Sequence, residues 1–177
     1  ARVLTGAVNP SGKLPISFPV SAAVLPVFYN HKPSASRGGW IDYCNATLFN
    51  FGHGLSYTTF SYSDLQVPTA PVSPNANASI SCTLTNTGSV RGTEVAQLYL
   101  RIATSTTTTP VRQLNGFQRV TLEPGASALV SFDVDVARQL TILNRSFAWI
   151  VASGEIEVYV GGASDDTPLT GSFTVLS

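Results

Sequence analysis

The sequence predicts an all-β protein: a β-sandwich entered through an irregular N-terminal arm. Three observations carry this expectation. From residue 60 onward apolar and polar side chains alternate in short runs, the period of half-buried strands. Clusters of Gly, Pro, Asn and Ser punctuate those runs at intervals suited to a sandwich with Greek-key connections. Helical periodicity is confined to Val136-Ala137-Arg138-Gln139-Leu140, enough for one turn.

The elements follow in order. In residues 1–20, Val3–Val8 and Lys13–Phe18 read as two short strands around an Asn9-Pro10-Ser11-Gly12 turn. Residues 21–59 form an arm rich in Pro and aromatic residues, with Pro26, Pro33 and Gly38-Gly39 and no sustained period. Two glycines in Phe51-Gly52-His53-Gly54 predict a tight turn, and Tyr57–Tyr62 is aromatic and β-branched enough for a first strand. Residues 60–177 then supply about seven strands. Ala78–Thr85 alternates cleanly and ends in the Asn86-Thr87-Gly88 turn. Glu94–Ile102 places Ala96, Leu98 and Leu100 on one face and Val95, Gln97 and Tyr99 on the other. Val111–Leu122, Ala128–Val134, Ser146–Val151, Gly154–Val160 and Leu169–Leu176 complete the series.

Composition narrows the function. Charged residues make up 11% of the 177-residue chain and the formal net charge is zero, against roughly 25% charged in an average domain. Such a surface offers no basic patch to nucleic acid or to an acidic membrane. No run approaches the roughly 20 apolar residues of a membrane span. Ala1-Arg2-Val3-Leu4 has neither the basic nor the apolar region of a leader, so the sequence reads as starting after processing or as part of a longer chain. Asn45-Ala46-Thr47, Asn77-Ala78-Ser79 and Asn144-Arg145-Ser146 are acceptor sequons and point to secretion. Cys44 and Cys82 leave two readings open. They pair in an oxidising compartment, or Cys82, in register with Ile80 and Leu84, stays a small core hydrophobe. Their spacing is not that of a metal site, and no cofactor motif is present.

Several stretches resemble, in the same order, the C-terminal region of glycoside hydrolase family three. They are Asn9-Pro10-Ser11-Gly12-Lys13-Leu14-Pro15, Tyr29-Asn30-His31-Lys32-Pro33, Phe51-Gly52-His53-Gly54-Leu55-Ser56-Tyr57-Thr58-Thr59-Phe60, Thr85-Asn86-Thr87-Gly88, Glu94-Val95-Ala96-Gln97-Leu98-Tyr99 and Leu114-Asn115-Gly116-Phe117-Gln118-Arg119-Val120. The family contains secreted β-glucosidases and β-xylosidases. The resemblance implies that residues 1–20 are the end of an α/β sandwich domain, 21–59 a linker and 60–177 a fibronectin type III-like domain. It also implies that the family's nucleophile and acid/base carboxylates lie upstream of Asn9, so this chain alone is not expected to hydrolyse a glycoside.

The residues agree. Retaining glycosidases need two carboxyl groups about 5–5.5 Å apart. Asp133/Asp135 and Glu155/Glu157 sit at i, i+2 on strands and read as solvated faces, while Asp165-Asp166 reads as turn chemistry. His53 reads as a turn residue. Two functions follow. In the first, the chain is a non-catalytic module that stabilises a parent hydrolase by packing, with the arm as contact. In the second it is a free-standing lectin. Trp40 and Tyr43 beside Asp42, together with the Tyr29-Asn30-His31 cluster, would then meet sugar, and the arm would be open to pairing with a second copy.

Overall fold

The computed structural model describes residues 1–33 and 47–177. Its body is two antiparallel sheets packed face to face. One contains β3 (Phe60–Gln66), β4 (Asn77–Asn86) and β7 (Ser127–Asp135), in the order β3-β4-β7. The other contains β5 (Gly92–Ile102), β6 (Gln113–Leu122), β10 (Gly154–Gly161) and β11 (Leu169–Val175), in the order β11-β10-β5-β6. The chain crosses between sheets after β4, after β6 and again after β7, which makes the sandwich a Greek key. Two short ribbons lie outside it: β1 (Phe18–Pro19) with β2 (Thr47–Phe49), and β8 (Thr141–Leu143) with β9 (Trp149–Val151).

Alternation explains the core. Ala78, Ile80, Cys82 and Leu84 point inward from β4, Val130, Phe132 and Val134 from β7. They meet Ala96, Leu98 and Leu100 of β5, Ile156, Val158 and Val160 of β10, and Phe173 and Val175 of β11. Each fully buried Leu or Ile contributes about 1.5–3 kcal/mol through area removed from water. The expected helical turn exists as α1 (Val136–Gln139), capped by Asp135, whose side chain accepts from Arg138 N at 3.2 Å.

Residues 1–20 depart from expectation. Val3–Val8 and Lys13–Phe18 are not strands. The first forms a local turn closed by Thr5 N to Ala1 O and Gly6 N to Val3 O, and only Phe18–Pro19 joins a ladder. The physical reason is the absence of a neighbour: a strand needs a partner edge for its N–H and C=O groups. Pro10 and Pro15 remove two donors, and Leu14 spends both backbone groups on residues 52 and 53. The first strand of the sandwich also starts at Phe60 rather than Tyr57, because Tyr57 and Thr58 give their amides to side chains.

Candidate functional site

Gln97 and Tyr99 point away from the core, yet both are buried, because the arm lies over the outer face of the four-stranded sheet. Tyr29 stacks on Phe51 with ring centroids 4.1 Å apart, and both rings meet Tyr99 edge-on at 5.9 and 6.5 Å. The Tyr99 hydroxyl donates to Gln97, whose amide in turn donates to Gly162 O at 2.6 Å. Burial first, and the neighbouring Tyr29 next, raise the Tyr99 phenol above the ordinary tyrosine range. The Tyr29 hydroxyl accepts from Leu114 N at 3.2 Å, Asn30 donates to Gln113 at 2.9 Å, and Val111 N donates to His31 O at 2.9 Å.

A second clasp lies nearer the N-terminus. Leu14 N donates to His53 O at 2.9 Å and Gly52 N to Leu14 O at 2.8 Å, so the two loops pair like a scrap of sheet. Asn9 accepts from Ser56 Oγ and Tyr57 N and donates to Arg91 O at 3.1 Å. Gly54 has no room for a side chain, because a Cβ there would stand 2.5 Å from Gly12 O. Lys13 reaches the mouth of the sandwich and pairs with Glu94 at 2.8 Å, both side chains largely buried. Tyr62 donates to the same carboxylate at 3.3 Å, and burial, then Glu94, push its phenol upward. Below them Asn86, fully buried, spends its whole side chain. Its oxygen accepts from Thr58 Oγ1 and Gly88 N, and its nitrogen donates to Val90 O and Leu122 O.

The segments singled out from the sequence therefore touch one another. Residues 9–15 clasp 52–57, residues 29–31 clasp 111–114, and Asn86, Glu94, Gln97 and Tyr99 are the receiving positions. Asn9, Lys13, Glu94 and Gln97 lie in those stretches but are missing from the site residues named on sequence. For Glu94 the signal exists: it shares the inward register of Ala96, Leu98 and Leu100, where a carboxylate needs a cation.

Of the sugar-contact candidates, Tyr29, Asn30 and His31 lie together in the seam, with Tyr29's hydroxyl and Asn30's amide engaged by β6 and His31's carbonyl by the loop before it. Trp40, Asp42 and Tyr43 lie outside the described residues, as do Cys44 and Asn45. Cys82 is buried in the core and makes no disulfide among the described residues; burial pushes its thiol up to about 11. Asn77 opens β4 and is exposed. Asn144 starts the β8–β9 turn, its side-chain oxygen accepting from Ser146 N and Ala148 N at 2.9 Å. Among the described residues no three His, Cys, Asp or Glu side chains converge as a metal site would require. The carboxylate pairs are engaged or solvated. Asp133 is exposed and Asp135 caps α1, while Glu157 pairs with Arg101 at 3.0 Å and accepts from Tyr159 at 2.6 Å.

These features define a class: a fibronectin type III-like sandwich onto which an N-terminal arm is clasped. Comparison with known proteins gives the family. Residues 1–57 match the glycosyl hydrolase family 3 C-terminal domain and residues 94–164 the fibronectin type III-like domain. The chain is 39% identical to the periplasmic beta-glucosidase of Salmonella typhimurium, over 91% of this chain and 22% of that protein. It is 38% identical to a beta-xylosidase of Formosa agariphila, over 99% of this chain and 25% of that protein. A solved beta-glucosidase involved in saponin metabolism, from intestinal bacteria, superposes with a TM-score of 0.92 at 36% identity, over 99% of this chain and 24% of that one. The chain belongs to glycoside hydrolase family 3 and carries that family's C-terminal region. It spans about a quarter or less of the length of the relatives named here.

Proposed function

We propose that the chain is a non-catalytic packing module of a β-glucosidase- or β-xylosidase-type hydrolase, and that the outward side of the arm is the surface that meets the catalytic remainder. One observation carries this reading. Of the twenty exposed large apolar side chains among the described residues, twelve lie in residues 1–59, including Leu4, Ile16, Leu25, Phe28, Leu48 and Leu55. Residues 60–177 are far more numerous and hold only eight. An apolar patch concentrated on one segment marks a protein contact rather than a solvent face. The seam supports the reading from the other side: it holds the arm rigidly on the sandwich, so the patch is presented in one geometry.

The test is complementation. The catalytic remainder of a relative such as the Salmonella enzyme, expressed without its own C-terminal quarter, is mixed with or fused to this chain. Aryl-β-glucoside hydrolysis should rise at least about ten-fold on adding the wild-type chain, and the chain alone should show none. Ile16→Asp with Leu48→Asp should abolish the gain while the isolated chain keeps its melting temperature. Turnover by the chain alone, or full complementation by the double variant, would sink the proposal. We place the protein outside the cytoplasm, on the strength of the sequons and of a periplasmic relative. No helix among the described residues is long and apolar enough to cross a membrane.

A further inference from the structure

A cleft of about 280 Å³ opens beside the Tyr29 stack, between the arm and the loops at Val111–Arg112 and Ser164–Asp165. Its lining is mixed in chemistry. Val27, Phe28 and Val111 are apolar. The rest includes polar groups of both signs. Asn50 bridges Thr47 and Asp165, accepting from the Thr47 hydroxyl and donating to the Asp165 carboxylate. Arg112 stands over the Tyr159 ring, 4.8 Å from its centroid, and donates to Ser164 O. Ser17 contributes a buried hydroxyl with no hydrogen-bond partner among the described residues.

We infer that this cleft is a binding subsite for one neutral pyranose ring. Charge narrows the ligand first. An anion would meet Asp165 and a cation would meet Arg112, so neither sign is favoured, and a neutral ligand satisfies both. Geometry narrows it further. Carboxylate, guanidinium, amide and hydroxyl groups line the cleft and supply both acceptors and donors, which suits neighbouring hydroxyls that each donate and accept. The apolar part of the lining suits the C–H face of a sugar ring. The Ser17 hydroxyl, buried and unmatched, is a position that such a ligand would pair. The volume admits a pyranose ring. The subsite adjoins the packing patch at Phe28, whereas its charged groups, Asp165 and Arg112, belong to the sandwich.

The experiment is an amide chemical-shift titration of the full chain with methyl β-D-glucopyranoside, and with methyl β-D-glucuronide as anionic control. Saturable shifts should appear at Ser17, Asn50, Arg112 and Ser164, with a dissociation constant on the order of millimolar for so small a ligand. The glucuronide should bind no more tightly than the glucoside, because its carboxylate meets Asp165 as well as Arg112. Asp165→Ala should weaken glucoside binding about ten-fold or more. Asp165 is exposed, so this variant keeps the fold, and an unchanged spectrum elsewhere verifies that. Asp133→Ala, on the other sheet, should leave binding untouched. Linear, non-saturating shifts, equal binding by Asp165→Ala, or preference for the glucuronide would each overturn the inference.

Discussion

The sandwich and the arm reach burial by different routes. In the sandwich every second residue is apolar, and any side chain of similar volume serves at most positions. Leu98, in the core cluster, stands between Val160 of β10 and Gly116 of β6. In the arm the backbone is irregular, and burial depends on particular groups: the Tyr29 ring and hydroxyl, the Asn9 amide, the Lys13 ammonium and the missing Cβ of Gly54. Alternation is a statistical instruction and tolerates substitution, whereas a clasp is a list of atoms. This difference accounts for the dense motifs in and around the arm and their sparseness along β7, β10 and β11.

Substitutions on the two sides should separate the routes. The largest loss is expected in the core, where Leu98→Ala leaves a cavity and should cost about 3–4 kcal/mol by urea denaturation. Next comes the buried ion pair. Lys13→Ala strands the Glu94 carboxylate and should cost about 3 kcal/mol, while Lys13→Met combined with Glu94→Leu should recover most of it. A double variant no more stable than the single one would show that the pair's charge is not what matters. Gly54→Ala drives a methyl into Gly12 O and should cost about 1–3 kcal/mol, with faster proteolysis near residues 9–14. Gly125→Ala, at a positive φ (+73°) that Gly54 does not share but facing open space, should cost about 1 kcal/mol and leave proteolysis of the arm unchanged. Tyr29→Phe is expected to be small, about 1 kcal/mol, because it removes the acceptor for Leu114 N and Gln113 but keeps the stack.

Cys82 offers a test from within the core. Its thiol titrates at about 11 in the folded state, above the ordinary cysteine value of about 8.5. A raised folded value favours the protonated native form. Its contribution to stability is therefore complete below about pH 8.5 and is lost as pH rises toward 11. Alkylation of native protein at pH 8 should consequently be far slower at Cys82 than after unfolding, as peptide mass would show.

Much of this was legible in the sequence, and what was not has a common cause. Strands β4, β5, β7, β10 and β11 follow from period-two alternation, and the single turn of α1 from the Val136–Leu140 pattern. The strands expected in residues 1–20 do not form, because periodicity reports a face but supplies no partner edge. The Tyr29 cluster was visible as a polar and aromatic group, but its contacts with Leu114 and Gln113 span more than eighty residues. Nothing local encodes such a pairing. Glu94 marks the boundary: its inward register shows that a cation is needed, and only the folded chain shows that Lys13 provides it.

The central claim is that arm and sandwich form one cooperative unit, and native-state hydrogen exchange tests it most directly. Val111 N, Leu114 N and Ser164 N donate across the seam to His31 O, Tyr29 Oη and Phe51 O. If the clasp holds, these amides exchange within about ten-fold of the slow core amides of Leu98 and Ile156, since both report global opening. Exchange at the rate of an unprotected loop, with Leu98 and Ile156 still protected, would show an arm that detaches freely and would contradict the account.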